Sequence, residues 1–286
     1  MKIGISALLT DLSIRPDDLA RESEARGFES LWFADHSYIP VEEFKGSDVR
    51  PASHLRTEFH SCLEQLTNVA TAAAVTKTIK VATGMCLMTL RDPLITAKAL
   101  ASIDYLSGGR LLVGVGAGWH TGEAANHGTE YKTRLRKMSE RVKAMQQVWA
   151  NEKYEFHGDY VNFCEVWCKP KPAQRPGPPI IAGMDGELGM ERMTEWANGW
   201  CPSPLSLPNL EQKLERVRGN LRKAGRDPNT FSISIFYNNG WQNTDIQSSE
   251  IDRMARLGLE RVVLNVPPLS KSEVTSILDK YARLVR

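Results

Sequence analysis

Two stretches of this chain carry proton-handling side chains, and the second sets them beside backbone that carries no side chains. Asp35 and His36 end an apolar run, Ser30–Ala34. An imidazole there can give and take a proton near neutral pH, which suits a general acid or base. The plainer reading of His36 is a loop-end histidine satisfied by hydrogen bonds. Neighbours in a strand point to opposite faces, so Asp35 and His36 should not act as a pair unless the strand breaks there.

The second stretch is Gly114–Glu123, GVGAGWHTGE. Gly114, Gly116 and Gly118 remove side chains at alternate positions, so a flat ligand can approach that backbone. Trp119 either stacks on an aromatic ligand or covers a cavity mouth. Glu123 either hydrogen-bonds a ligand or opens the next helix. Gly183-Met184-Asp185-Gly186 precede a helix and offer bare N–H groups, read as a phosphate cradle or as an ordinary strand-to-helix turn. GVGAG lacks the third glycine of the dinucleotide fingerprint, and no acidic residue ends a following strand, so a Rossmann fold is rejected.

Other chemistries find little support. No GxSxG elbow occurs. Cys164 and Cys168 have no second pair or nearby histidine to complete a zinc site, so no metal is expected. Cys86 reads as a small apolar pocket residue rather than a nucleophile.

The elements that must hold these groups alternate strand and helix. Strands are expected at Lys2–Leu8, Ser30–Ala34, Ile79–Met85, Leu111–Val115, Pro179–Ala182, Gly199–Cys201, Thr230–Phe236 and Arg261–Val266. Helices are expected at Asp17–Arg26, Glu58–Thr76, Leu94–Leu106, Tyr131–Ala150, Glu187–Trp196, Asn209–Ala224, Ser248–Leu257 (Ser248 as N-cap) and Ser270–Val285. Gly108 and Gly109 can take the left-handed conformation that ends a helix. Tyr154–Phe163 reads as a β-hairpin inserted after the fourth strand.

Eight strand-then-helix units favour a (β/α)8 TIM barrel as one α/β domain over residues 1–286. In such a barrel the loops after the strands carry the chemistry. That rule nominates Asp35, His36, Met85, Cys86, Gly116–Glu123, Gly183–Gly186, Pro202 and Pro267. The long polar stretch Ser37–Thr57 reads as a lid or binding loop.

Bulk properties set the class. The 286 residues are 42% hydrophobic with a net charge of +2, so neither nucleic acid nor a membrane surface is suggested by charge. No apolar run has the length of a membrane span, and Met1–Leu9 is too short and strand-like for a signal peptide. Five irregularly placed cysteines fit a reduced cytoplasmic protein.

Taken together, these residues resemble the luciferase-like monooxygenase superfamily of flavin and deazaflavin enzymes. The resemblance is carried by LWFADH at Leu31–His36, TGM at Thr83–Met85, Asp92–Trp119 and Pro179–Trp200. The length resembles the compact branch that uses coenzyme F420, a deazaflavin. The resemblance implies that Asp35 and His36 are the catalytic pair of positions after strand two, His36 near the reactive carbon of the deazaflavin. It implies that Thr83, Gly84, Met85 and Cys86 form a bulge behind the ring. A cis peptide is implied at Gly84–Met85 or Met85–Cys86. Ala117, Gly118 and Trp119 would flank the ring, and Ala182, Gly183, Met184 and Asp185 would bind the ribityl-phosphate tail. Some deazaflavin dehydrogenases of that superfamily place a catalytic glutamate soon after GVGxG; here Trp119 and His120 intervene and Glu123 comes later.

The implied function is hydride transfer between F420 and a small organic substrate, with a homodimer through helices Glu58–Thr76 and Leu94–Leu106. Two alternatives stand beside it: a reduced-FMN monooxygenase, and a non-catalytic protein that only holds a flavin.

Overall fold

The computed structural model describes residues 1–41, 57–237 and 246–285. Eight parallel strands close a barrel in which chain neighbours are also spatial neighbours. They are β1 (Lys2–Ala7), β2 (Ser30–Phe33), β3 (Lys80–Leu87), β4 (Leu111–Gly116), β7 (Ile180–Ala182), β8 (Gly199–Trp200), β9 (Ser232–Tyr237) and β10 (Arg261–Val266). Closure is direct: Lys2 pairs with Arg261 on one side of β1 and Gly4 with Ser30 on the other. The TIM-barrel expectation is borne out.

The near-continuous apolar runs of these strands follow from burial on both faces. Outward residues such as Leu31, Val113 and Ile180 pack under the helices. Inward residues, Trp32, Ala82, Leu112, Ile181, Cys201 and Val263, fill the barrel. Arg261 is the exception inside β10. It is buried because its guanidinium is fully engaged, donating to Glu29 at 2.6 and 2.7 Å and to the Ser234 hydroxyl at 3.0 Å. Burial works to raise the Glu29 carboxyl, but the Arg261 hydrogen bonds prevail and hold it down at about 2.

The helices are α1 (Pro16–Ala25), α2 (Gln65–Val75), α3 (Pro93–Leu106), α4 (Thr121–Asn126), α5 (Arg134–Ala150), α6 (Glu187–Arg192), α7 (Leu210–Lys223), α8 (Ser248–Arg256) and α9 (Lys271–Ala282). Caps explain several of their starts. The Asp92 carboxylate accepts from Ile95 N at 2.9 Å, with Pro93 in the first turn of α3. Gly108 and Gly109 end α3 with φ of 67° and 84°, as expected.

Several elements differ from the sequence expectation. Glu58–Thr76 is not one helix: Thr57–Phe59 is a 3-10 turn, Cys62 bridges to Thr10, and α2 starts only after Glu64, which caps Thr67 N at 2.7 Å. Thr121–Asn126, read as loop, forms α4, and Tyr131–Thr133 is a 3-10 turn before α5. The helix read as Glu187–Trp196 narrows to a 3-10 turn at Met193–Glu195. Ser248 is not the N-cap of α8: Gln247 occupies that position and caps with no side-chain bond.

The hairpin is present as β5 (Lys153–His157) and β6 (Asn162–Trp167), antiparallel, following α5. Glu140 on α5 fastens it by accepting from the N–H groups of Asp159, Tyr160 and Val161 at 3.1, 2.7 and 2.6 Å. No described helix is long and apolar enough to cross a membrane. Of the stretch Ser37–Thr57, residues 42–56 lie outside the described residues, and so does the lid expectation placed on them.

Candidate active site

The C-terminal ends of the strands surround a cavity of about 540 Å3. Asp35, His36, Gly84, Met85, Ala117, Gly118, Trp119, Gly183, Met184 and Asp185 all line it, and ten of the residues singled out in the sequence thus converge.

Asp35 and His36 lie just past the end of β2 and turn to different partners. The Asp35 carboxylate accepts from Leu87 N at 2.9 Å and from Arg91 Nε and Nη2 at 3.0 and 2.8 Å. Arg91 also donates to Glu64 at 2.9 Å. The three hydrogen bonds of this buried carboxylate thus all run to β3 and the segment after it, and tie the end of β2 to them.

His36 turns the other way. Its Nδ1 lies 3.0 and 3.1 Å from the two oxygens of Glu123. Both residues are buried. A carboxylate can only accept, so Nδ1 carries the proton and Nε2 is left for a ligand. Cys62 holds the His36 backbone from behind, its thiol donating to the carbonyl oxygen at 2.8 Å. Burial, helped by the Asp35 and Glu123 charges, pushes that thiol up to about 11, so it keeps its proton at neutral pH. Phe59 and Trp119 meet the imidazole edge-on, with ring centroids 5.1 and 5.7 Å away.

Glu123 reaches His36 because the β4 loop doubles back. Gly118, at φ 74°, turns the chain in a conformation that disfavours a side chain. The His120 ring then caps α4 by accepting from Glu123 N at 3.2 Å. The first turn of α4 points Glu123 inward. Glu123 sits in the opening turn of a helix, as one of the two sequence readings has it, and its carboxylate is turned to His36 rather than lining the cavity.

The β3 bulge lies on the opposite wall. Pairing with β4 steps from Thr83–Val113 to Cys86–Val115, which leaves Gly84 and Met85 extruded. The Gly84–Met85 peptide is cis, at one of the two bonds the resemblance implied. The extruded Met85 explains Gly114. A Cβ there would lie 2.2 Å from the Thr83 carbonyl oxygen and 2.6 Å from Met85 Sδ. The bare backbone at Gly114 therefore receives the chain's own bulge, while Gly116 and Gly118 face the cavity.

Thr83, Cys86 and Ala182 do not line it. The Thr83 hydroxyl donates to Gly114 O at 2.7 Å, which staples β3 to β4. Cys86 and Ala182 point into the core under the helices, and burial holds the Cys86 thiol far above its ordinary range. Asp185 lines the cavity, but its carboxylate is engaged by Ser203 N at 3.1 Å and by the Ser206 hydroxyl. Arg134 is a lining residue that the sequence reading missed. It stacks on Tyr131, its guanidinium carbon 3.7 Å from the ring centroid. Among the bases of Lys132, Arg134 and Arg136, no local signal marks which one faces inward.

A smaller cavity of about 180 Å3 adjoins the first. Ala34, His36 and Gly84 line both.

A family model for luciferase-like monooxygenases matches residues 16–245. This chain belongs to that family. Across its luciferase-like fold it is 28% identical to an uncharacterized protein of Mycobacterium tuberculosis over 296 residues, which covers 99% of this chain and 98% of that one. It is 28% identical over 233 residues to the F420-dependent hydroxymycolic acid dehydrogenase of the same organism, 79% of this chain and 60% of the relative. To the FMNH2-dependent dimethylsulfone monooxygenase of Pseudomonas putida it is 27% identical over 180 residues, 62% of this chain and 47% of that one. The crystal structure of a monooxygenase from Streptomyces bottropensis superposes with a TM-score of 0.79 at 20% identity, over 100% of this chain and 98% of that one, which shows the shared fold. Luciferase-like relatives thus include both deazaflavin-dependent and reduced-FMN-dependent oxidoreductases.

Proposed function

We propose that this chain is an oxidoreductase that binds coenzyme F420 and moves a hydride between it and a small organic substrate. One observation carries the reading: His36, with Nδ1 held by Glu123, stands where the two cavities meet.

The larger cavity suits a flat heteroaromatic ring with a phosphate-bearing tail. Its volume of about 540 Å3 is in the range of cofactor pockets. Gly84, Gly116 and Gly118 give one region bare backbone, and Met85 backs it. Toward α6, a Cβ built at Gly186 would meet nothing within 4 Å, so that backbone is open. Arg134 supplies a cation for a phosphate there. We assign Gly84, Met85, Ala117, Gly118, Trp119, Gly183 and Met184 to ring and tail contacts. Asp185 positions the Ser203 loop.

When bound, the deazaflavin supplies a carbon that accepts or returns a hydride. The chain supplies the rest. As a hydride leaves a carbinol carbon, the hydroxyl proton passes to His36 Nε2 and a carbonyl forms; the reverse reaction returns both. Glu123 fixes the ring orientation and stabilises the imidazolium. The cavity walls hold the reacting atoms together.

A reduced-FMN monooxygenase is the second reading, favoured by the Pseudomonas putida relative. Titration with F420 and, separately, FMN, followed by quenching of Trp119, tests both. Micromolar affinity for F420 with FMN at least about 10-fold weaker is expected. The opposite order, with oxygen consumed on adding reduced FMN, would install the second reading. Binding of either without turnover of any substrate would leave a flavin-holding protein.

We further propose a homodimer through α2 and α3. Ile95 and Leu106 on α3 are 73% and 79% exposed, beside Tyr105. Light scattering should give twice the 32.0 kDa chain mass, and Ile95→Lys should shift it toward monomer. A monomeric native chain at micromolar concentration would refute this.

A further inference from the structure

We propose that Lys137, which lines neither cavity, is a positioning residue of the site: it anchors both ends of the segment from Ala117 to Thr129 and so holds Glu123 against His36. This rests on the hydride-transfer reading, in which Glu123 orients the His36 ring.

Lys137 lies on the inner side of α5 and is only 8% exposed. It forms no ion pair among the described residues. Its ammonium donates to two neutral acceptors, Gly128 O at 3.0 Å and Thr129 Oγ1 at 2.8 Å. Burial first, and then the charge of Arg141 one turn further along α5, hold its pKa below the ordinary lysine value. A methionine would fill the same space without that cost. The cation therefore contributes through its donors.

From the ammonium the bonds run one way. The buried Thr129 hydroxyl accepts from Lys137 and donates to Thr89 O at 2.9 Å. The Thr89 hydroxyl, also buried, donates to Ala117 O at 2.9 Å. Each hydroxyl has one proton, so a donor-only head group sets the direction of the whole chain and polarises it. Ala117 lines the larger cavity. At the other end, Thr129 N donates to Ala124 O at 2.8 Å, which fastens α4 to the same anchor. Arg141 steadies the chain from the side by donating to Met88 O at 2.7 Å, next to Thr89. One ammonium thus reaches the start of the segment and its end. Between them lie Gly118, Trp119, His120 and the first turn of α4. The Glu123 carboxylate has His36 as its only hydrogen-bond partner among the described residues, so its aim depends on where α4 sits.

Nitrogen-15 NMR of the histidine rings reads the consequence without any substrate. Loss of signal in His36→Ala identifies the His36 ring. In the native chain its proton should sit on Nδ1. In Lys137→Met the ratio of the Nδ1–H form to the Nε2–H form should fall about 3- to 10-fold, the worth of one hydrogen bond. Thr129→Val should reproduce the fall, and Thr129→Ser, which keeps the hydroxyl, should not. The two Thr129 variants carry the test if Lys137→Met fails to fold. Because the two residues act in series, Lys137→Met combined with Thr129→Val should shift the ratio no further than the larger single change. A native ratio in folded Lys137→Met or Thr129→Val, with only Tm lowered, would make Lys137 purely structural and overturn the proposal. Additive shifts, or a native ring protonated on Nε2, would overturn it too. Titration with F420 keeps the cofactor reading separate. F420 binding with an unmoved ratio would overturn the anchor and leave that reading intact. A shifted ratio in a chain that binds no F420 would support the anchor and remove the cofactor.

Discussion

Replacing His36 with alanine is expected to lower kcat/KM by about 100- to 10,000-fold, the range of a lost general acid or base. Affinity for F420 should hold within about threefold, because the residues assigned to ring and tail do not include His36. The mechanism demands this asymmetry: His36 handles the substrate proton, while backbone and Arg134 hold the cofactor. Glu123→Gln tests the other half of the pair. An amide can present its NH2 group to Nδ1, which favours the opposite tautomer and puts the proton on Nε2. The loss should appear in kcat with little change in KM, and Glu123→Asp should recover part of it. A purely structural Glu123 would instead lower stability and leave kcat intact in whatever protein remained folded. Turnover by His36→Ala at the native rate would end the catalytic assignment.

Replacing Asp35 with asparagine is expected to cost about 3–5 kcal/mol of stability, the usual result of removing one partner from a buried ion pair. For a chain of this size that is a fall in Tm of roughly 6–15 °C. Arg91 is the reason: its guanidinium is mostly covered, and it makes two of its bonds to Asp35 at 2.8 and 3.0 Å. The double variant Asp35→Asn with Arg91→Met should recover much of the loss, since no buried charge is then left unpaired. The sequence expectation placed Asp35 beside His36 as a catalytic residue. From its bonding we propose instead a positioning residue that locks the end of β2 to the segment after β3. An Asp35→Asn protein with native Tm and no turnover would restore the catalytic role.

Much of the barrel was legible because its signals are local. Unbroken apolar runs mark strands buried on both faces, and Gly or Pro marks an end of several helices, α1 and α3 among them. Asp92-Pro93 and Gly108-Gly109 bracket α3 as expected because capping depends on residues within a few positions of each other. The same locality failed at Glu58–Thr76 and at α4. At the first a distant bridge between Cys62 and Thr10 decided the outcome; at the second the cap is local but is made by a histidine ring, His120 to Glu123 N, in a glycine-rich run that reads as loop.

By itself the sequence determined the strand order, the placement of Asp35 and His36 at a strand end, and the glycine-rich loop after β4. Tertiary structure decided which groups meet. Glu123 binds His36 across 87 positions, and Arg91 binds Asp35 across 56. Met85 takes the space that Gly114 leaves, and Arg134 alone of its basic neighbours turns into the larger cavity. The division into a cavity with charged lining residues and one with none among its described residues belongs to the same level. Such pairings depend on closure of the whole barrel, which brings distant strand ends to one mouth, and the short-range periodicity of a chain carries no record of that closure.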